Sequence, residues 1–109
     1  MILDFDHMEE KANPGFKGGE GIAYLKKYEN ELGKIIMGRL EPGSTIGLHT
    51  HETNSEVIYI VSGKADFIYD DSTESVGAGG CHYCPKGHSH SMINNGNEDL
   101  IFFATVPEQ

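Results

Sequence analysis

The chain has 109 residues and a formal net charge of −9, with Arg39 as its one arginine and seven lysines, of which only Lys26 and Lys27 are adjacent. This length holds one domain with one modest core and excludes two. The charge excludes a clustered basic face for phosphates, so neither nucleic acid nor an anionic membrane is an expected partner.

No apolar run approaches the length of a membrane span. The N-terminus "MILDFDHMEEK" lacks the basic start and long apolar centre of a secretory signal, so a cytoplasmic location is expected. Two cysteines, three apart, cannot staple a chain of this size. Fourteen glycines, about twice the average usage of about 7%, lie between short apolar stretches and point to tight turns and a β-rich fold.

In chain order, residues 1–21 read as an arm, turn-rich at "NPGFKGGEG" and with little to bury. Residues 22–109 read as a single domain. "IAYLKKY" (22–28) fits a helical stripe or an alternation, and is taken as a strand. "KIIMGRL" (34–40) is a strand closed by the turn "EPGS", and "TIGLHTH" (45–51) alternates. "EVIYIV" (56–61), β-branched and aromatic, is followed by "ADFIYD" (65–70), the short "ESV" and the turn "GAGG". "CHYC" (81–84), "HSMI" (90–93) and "LIFFATV" (100–106) complete the set. Short strands at this spacing predict an all-β sandwich or barrel.

In "EVIYIV", Ile58 and Ile60 share the side of Glu56, and Val57, Tyr59 and Val61 take the other. A sheet with one solvated face should be polar on one side. The apolar outer side predicts a homodimer, the competing reading being cover from the C-terminal strand or the N-terminal arm.

Four of the six histidines sit in "HTH" (49–51) and "HSH" (88–90). Two residues apart on a strand face the same way, so His49 and His51 present both imidazoles to one space. An antiparallel return after His51 is expected to place Glu56 beside them. Imidazole and carboxylate together suit a divalent transition ion such as Fe, Mn, Ni, Zn or Cu.

The two stretches also follow a pattern. The first reads Gly43, five residues, His49-Thr50-His51, four residues, Glu56, six residues, Gly63. The second reads Gly79, five residues, Pro85-Lys86-Gly87, two residues, His90, three residues, Asn94. Together they resemble the two motifs of the cupin superfamily over roughly residues 34–106. The resemblance implies a small antiparallel β-barrel of jelly-roll order. It also implies one metal ion held by His49, His51, Glu56 and His90. Gly43 and Gly63 would permit turns at strand ends, Gly87 a bend before His90, and Asn94 would stabilise a turn. Gly80 departs from the aspartate that many relatives carry there, which bears on turn rigidity rather than on the metal.

Other residues compete for these roles. His88 is expected at the bend, as a rim or supporting residue of the pocket; His82 and His7 are not expected ligands. Cys81 and Cys84 should face opposite sides of a strand, at least one as a buried small hydrophobe. Ile58, Ile60 and Met92 are expected pocket walls, with either Phe102 or Phe103; Arg39 is the one candidate for a buried cation, the equal alternative being an exposed place on the strand before Glu41. The expected function is metal-dependent chemistry on a small oxygen-bearing molecule, of dioxygenase, isomerase or lyase type, with Glu56 as a possible base. The alternative is a small-ligand-binding or sensing module without turnover.

Overall fold

The stretches that alternate, or that are rich in β-branched and aromatic residues, all become strands. The computed structural model describes residues 1–109. Its strands are β1 (Lys11–Pro14), β2 (Ile22–Asn30), β3 (Gly33–Leu40), β4 (Thr45–Thr50) and β5 (Glu56–Ser62). They continue as β6 (Lys64–Tyr69), β7 (Ser72–Gly77), β8 (Cys81–Cys84), β9 (Ser89–Ile93) and β10 (Leu100–Pro107). A six-stranded sheet has the order β1-β2-β3-β10-β5-β8, and a four-stranded sheet the order β4-β9-β6-β7. Every pairing is antiparallel. The two sheets form the jelly-roll barrel that the motifs implied.

Period-two alternation decides what lies between the sheets. Leu40 of β3, Ile58 and Ile60 of β5, Ala65 and Phe67 of β6, and Leu100, Phe102 and Ala104 of β10 are all buried. Each large apolar side chain taken out of water contributes about 2 kcal/mol, so this interior supplies most of the drive to fold. The other parity of β5 is solvent-facing: Val57, Tyr59 and Val61 are exposed, as is Tyr83 on the adjacent β8. Phe103 of β10 points outward as well, and the Phe5 ring meets it edge-on at 6.2 Å. The N-terminal residues thus cover a corner of this face and leave the β5–β8 part open.

The expected arm is more ordered than its composition suggested. Lys11–Pro14 adds strand β1 to the edge of the large sheet, paired with β2. Residues 15–21 then lie against β4. Glu20 donates its N–H to the Thr45 hydroxyl at 2.8 Å, and Thr45 donates its own N–H to the Glu20 carbonyl at 2.9 Å. Gly47 makes this approach possible, because a Cβ there would stand 2.1 Å from the Lys17 carbonyl oxygen. Phe16 packs on the core from this loop. A glycine-rich segment reads as having little to bury because most of its docking is through backbone, with Phe16 as its one apolar anchor.

At the other end, Asn94 is fully buried. It donates from Nδ2 to the Leu40 and Glu98 carbonyls, both at 2.8 Å, and accepts the Gly96 N–H at 3.1 Å. This side chain pins the β9–β10 connection and takes the structural part expected of it. The turn at Gly80 also closes without an aspartate, through a Gly80 N–H bond to the Gly77 carbonyl.

Candidate metal centre

His49 on β4 and His90 on β9 are direct cross-strand partners in the small sheet. His51 lies just beyond the end of β4. Its N–H bonds the His88 carbonyl, and its own carbonyl accepts the Gly87 N–H at 2.7 Å. Gly87 adopts φ 90°, a left-handed bend that turns the chain back into β9. Glu56 opens β5 in the opposite sheet. The carboxylate therefore reaches the histidines across the barrel interior, not from a neighbouring strand as expected, because β4 and β5 join different sheets. The four ligand atoms all lie within 4.8 Å of one another.

The outward nitrogen of each imidazole is occupied. His49 Nδ1 bonds the Gly47 carbonyl at 2.7 Å, and His51 Nδ1 bonds Asn54 Oδ1 at 2.5 Å. His90 Nδ1 bonds His82 Nε2 at 3.0 Å, and His82 Nδ1 bonds Glu74 Oε1 at 2.8 Å. One assignment of protons satisfies the whole set: every Nδ1 donates, and every ligand Nε2 keeps a lone pair facing inward. His51 Nε2 and His90 Nε2 stand 3.0 Å apart, and Glu56 Oε1 lies 3.3 Å and 3.1 Å from them. Donors that share an ion at about 2.1 Å are separated by about 3–4 Å, so the set fits a divalent transition ion.

Without a cation the inward lone pairs would repel, and a proton on His51 Nε2 donated to Glu56 Oε1 relieves this. Burial pushes the Glu56 carboxyl up, but hydrogen bonds from His51 and His90 outweigh it and hold the group at about 2. The Glu56 bond raises the proton affinity of His51 against the opposing effect of burial, while burial lowers that of His49. His51 therefore keeps its proton to higher pH than an ordinary histidine, and a metal must displace that proton. Glu56 is ionised across the working range and releases none. Metal binding is expected to release a proton from His51 at pH values where an ordinary histidine still holds one, with affinity falling as pH falls through the histidine range. Calorimetry in buffers of different ionisation enthalpy measures this; no release between pH 6 and 7 would contradict the assigned proton on His51.

The cluster lies on the wall of a cavity of about 260 Å³. Ile58, Met92 and Phe102 line it, with Ile36, Ile46 and Val106. Ile60 has the expected parity but sits deeper, fully buried in the core and outside the cavity wall. His88 does not line the cavity either. It lies on the rim, 2.6 Å from Asp70 Oδ2 and 3.3 Å from the Tyr69 hydroxyl. Arg39 is on the outer side of the large sheet, paired with Glu10 and Asp99 and lying over the Tyr24 ring, so it is not the pocket's cation. Lys17 and Lys34 line the cavity instead.

Two residues carry more than their sequence context suggested. His82 is fully buried, stacked on Phe67 at 3.9 Å, and supports His90. Strand parity held the signal, since His82 shares the inward side of β8 with buried Cys84. Lys17 had none, lying in the glycine-rich loop. Cys84 is no rival ligand: burial pushes its thiol up to about 11, and Cys81 is exposed on the opposite side.

Two facing antiparallel sheets around an interior lined by three histidines and a glutamate define a small jelly-roll β-barrel with a set of side chains suited to a metal ion. The chain belongs to the cupin family, whose domain model matches residues 36–106. An oxalate-binding protein of Thermotoga maritima is 36% identical over 112 residues, which cover 97% of this chain and 93% of that protein. The crystal structure of a predicted oxalate decarboxylase from Thermotoga maritima superposes with a TM-score of 0.94 at 27% identity, covering all of both chains. A sugar phosphate isomerase of the cupin superfamily from Silicibacter pomeroyi superposes at 0.79 with 20% identity, over all of this chain and 76% of that one, and shares the fold.

Proposed function

We propose that this cupin holds a divalent transition metal ion with His49, His51, Glu56 and His90, and binds a small chelating organic acid against it, with oxalate as the first candidate. The convergence of four donor atoms beside a cavity with two lysines on its wall carries this reading. Its similarity to an oxalate-binding protein supports the choice of ligand. The ion would supply a Lewis acid that polarises the bound carboxylate. The protein's own part is to orient the ligand between apolar Ile58, Met92 and Phe102 and the charged wall. Elemental analysis of untagged protein, followed by calorimetric titration with oxalate, tests the proposal. No retained metal after reconstitution, or a loaded site indifferent to oxalate, would end it.

Turnover is the narrower form of the reading, with Glu56 as the base. As a metal donor Glu56 has its inward oxygen engaged, and this favours the second form, binding without chemistry. Incubation of loaded protein with oxalate under air separates the two. Formate, carbon dioxide or peroxide above the protein-free control indicates an enzyme, and unchanged oxalate indicates a binder.

We also propose that the open apolar face of β5 and β8 seats a second copy of the chain, which sedimentation at micromolar concentration would show as a dimer. The two thiols face opposite sides of β8 and form no disulfide, which suits a cytoplasmic protein.

A further inference from the structure

Lys17 stands out on the cavity wall. It adopts φ 56° within Gly15-Phe16-Lys17-Gly18-Gly19, where Gly15 and Gly18 are also left-handed. Glycine would take this conformation without steric cost, yet the position that lines the cavity carries a long cationic side chain. Backbone strain held by its surroundings is a mark of functional positions. Here the surroundings are specific. The Lys17 carbonyl abuts Gly47, two residues before His49, and Glu20 and Thr45 bond each other in both directions. The loop is thus fixed to the strand that carries a metal-site histidine.

The charges around the cavity are Lys17, Lys34, Glu52, Glu56 and the histidines. Lys34 is 3.8 Å from Glu29 and partly neutralised by it, while Lys17 has no carboxylate within salt-bridge distance. Its ammonium lies 5.6 Å from the Phe16 ring centre. Three neutral histidines, one carboxylate and a divalent ion leave one net positive charge. Lys17 and Lys34 add two and Glu52 takes one away, so the wall and ion together balance a dianion, with Lys17 the lysine free of a carboxylate partner. Oxalate that chelates through one oxygen of each carboxylate keeps two further oxygens free to accept hydrogen bonds.

We propose that Lys17 is the specificity-determining residue of the site, pairing with the outer oxygens of a metal-held dicarboxylate and selecting dianions over monoanionic chelators of similar size. The proposal rests on the metal-and-oxalate reading above. The test is calorimetric titration of oxalate and of glycolate, a monoanionic chelator, into Mn(II)-loaded full-length protein. Wild type, Lys17→Met and Lys17→Arg are compared, with manganese content measured for each.

A charge-assisted hydrogen bond sets the expected size. Lys17→Met should weaken oxalate binding about tenfold to a hundredfold, leave glycolate within about twofold, and keep its manganese; Lys17→Arg should restore most of the oxalate affinity. Equal oxalate affinity in wild type and Lys17→Met would overturn the proposal. An equal loss for both ligands would overturn it too, since it would mark a loop that merely holds shape. A manganese-loaded wild type that binds neither ligand would instead bring down the underlying reading, and the role of Lys17 with it.

Discussion

Glu56→Ala is expected to lower metal affinity by well over a hundredfold while the barrel stays folded. Loss of a residue that only orients a ligand costs about 10–100-fold, and Glu56 supplies a donor atom and the one negative charge of the set. Removing it leaves the His51 and His90 Nε2 atoms facing each other at 3.0 Å with no shared acceptor. The core is untouched, because Glu56 lies at the open end of β5 while Ile58 and Ile60 anchor the strand. Metal content after dialysis against a weak chelator, together with far-ultraviolet circular dichroism, measures both halves. A variant that folded and kept stoichiometric metal would remove Glu56 from the ligand set.

His82→Phe is the second large effect, expected at about 10–100-fold in metal affinity. Phenylalanine preserves the stack on Phe67 and approximates the volume, but it cannot accept the His90 Nδ1 proton. His90 would then be free to change tautomer or swing, and a buried N–H would lose its partner at a cost of about 1–3 kcal/mol. Glu74→Gln should do less, since its side chain is 44% exposed and water can replace it. The ligand-field spectrum of cobalt-substituted protein reads the His90 geometry directly. An unchanged spectrum and affinity in His82→Phe would reduce His82 to a packing residue.

What the sequence made legible follows from how each feature is encoded. The strands from β3 onward are written in apolar alternation and glycine turns, and Asn94 in a fixed motif position, so both emerge from the residues themselves. The ligand set follows from two motifs that are each local. Glu56 stands beside the histidines as an antiparallel return implies, but it does so from the opposite sheet, because sequence gives strand order and not which strands pair. His82 is no ligand, as its place outside the motifs implies, and its supporting part shows only in its inward parity with Cys84. Lys17 was out of reach: its place depends on a left-handed backbone and on the missing Cβ of Gly47, thirty residues away in the chain. Arg39, the one arginine, can face either way as far as its sequence shows, and only the sheet register puts it on the outer side.

The division of the ligands between the sheets has a consequence for how such a site is tuned. Two donors ride on the small sheet, His51 follows directly on the end of β4, and Glu56 rides on the large sheet, so the opening they form depends on the gap between two layers. That gap is filled by Phe67 and Phe102, whose ring lies against Gly38. A methylene added or removed there would act as a shim, widening or narrowing the coordination sphere from a distance. Metal preference at such a site is expected to depend on this packing, so changes in selectivity should appear among core variants that touch no ligand at all.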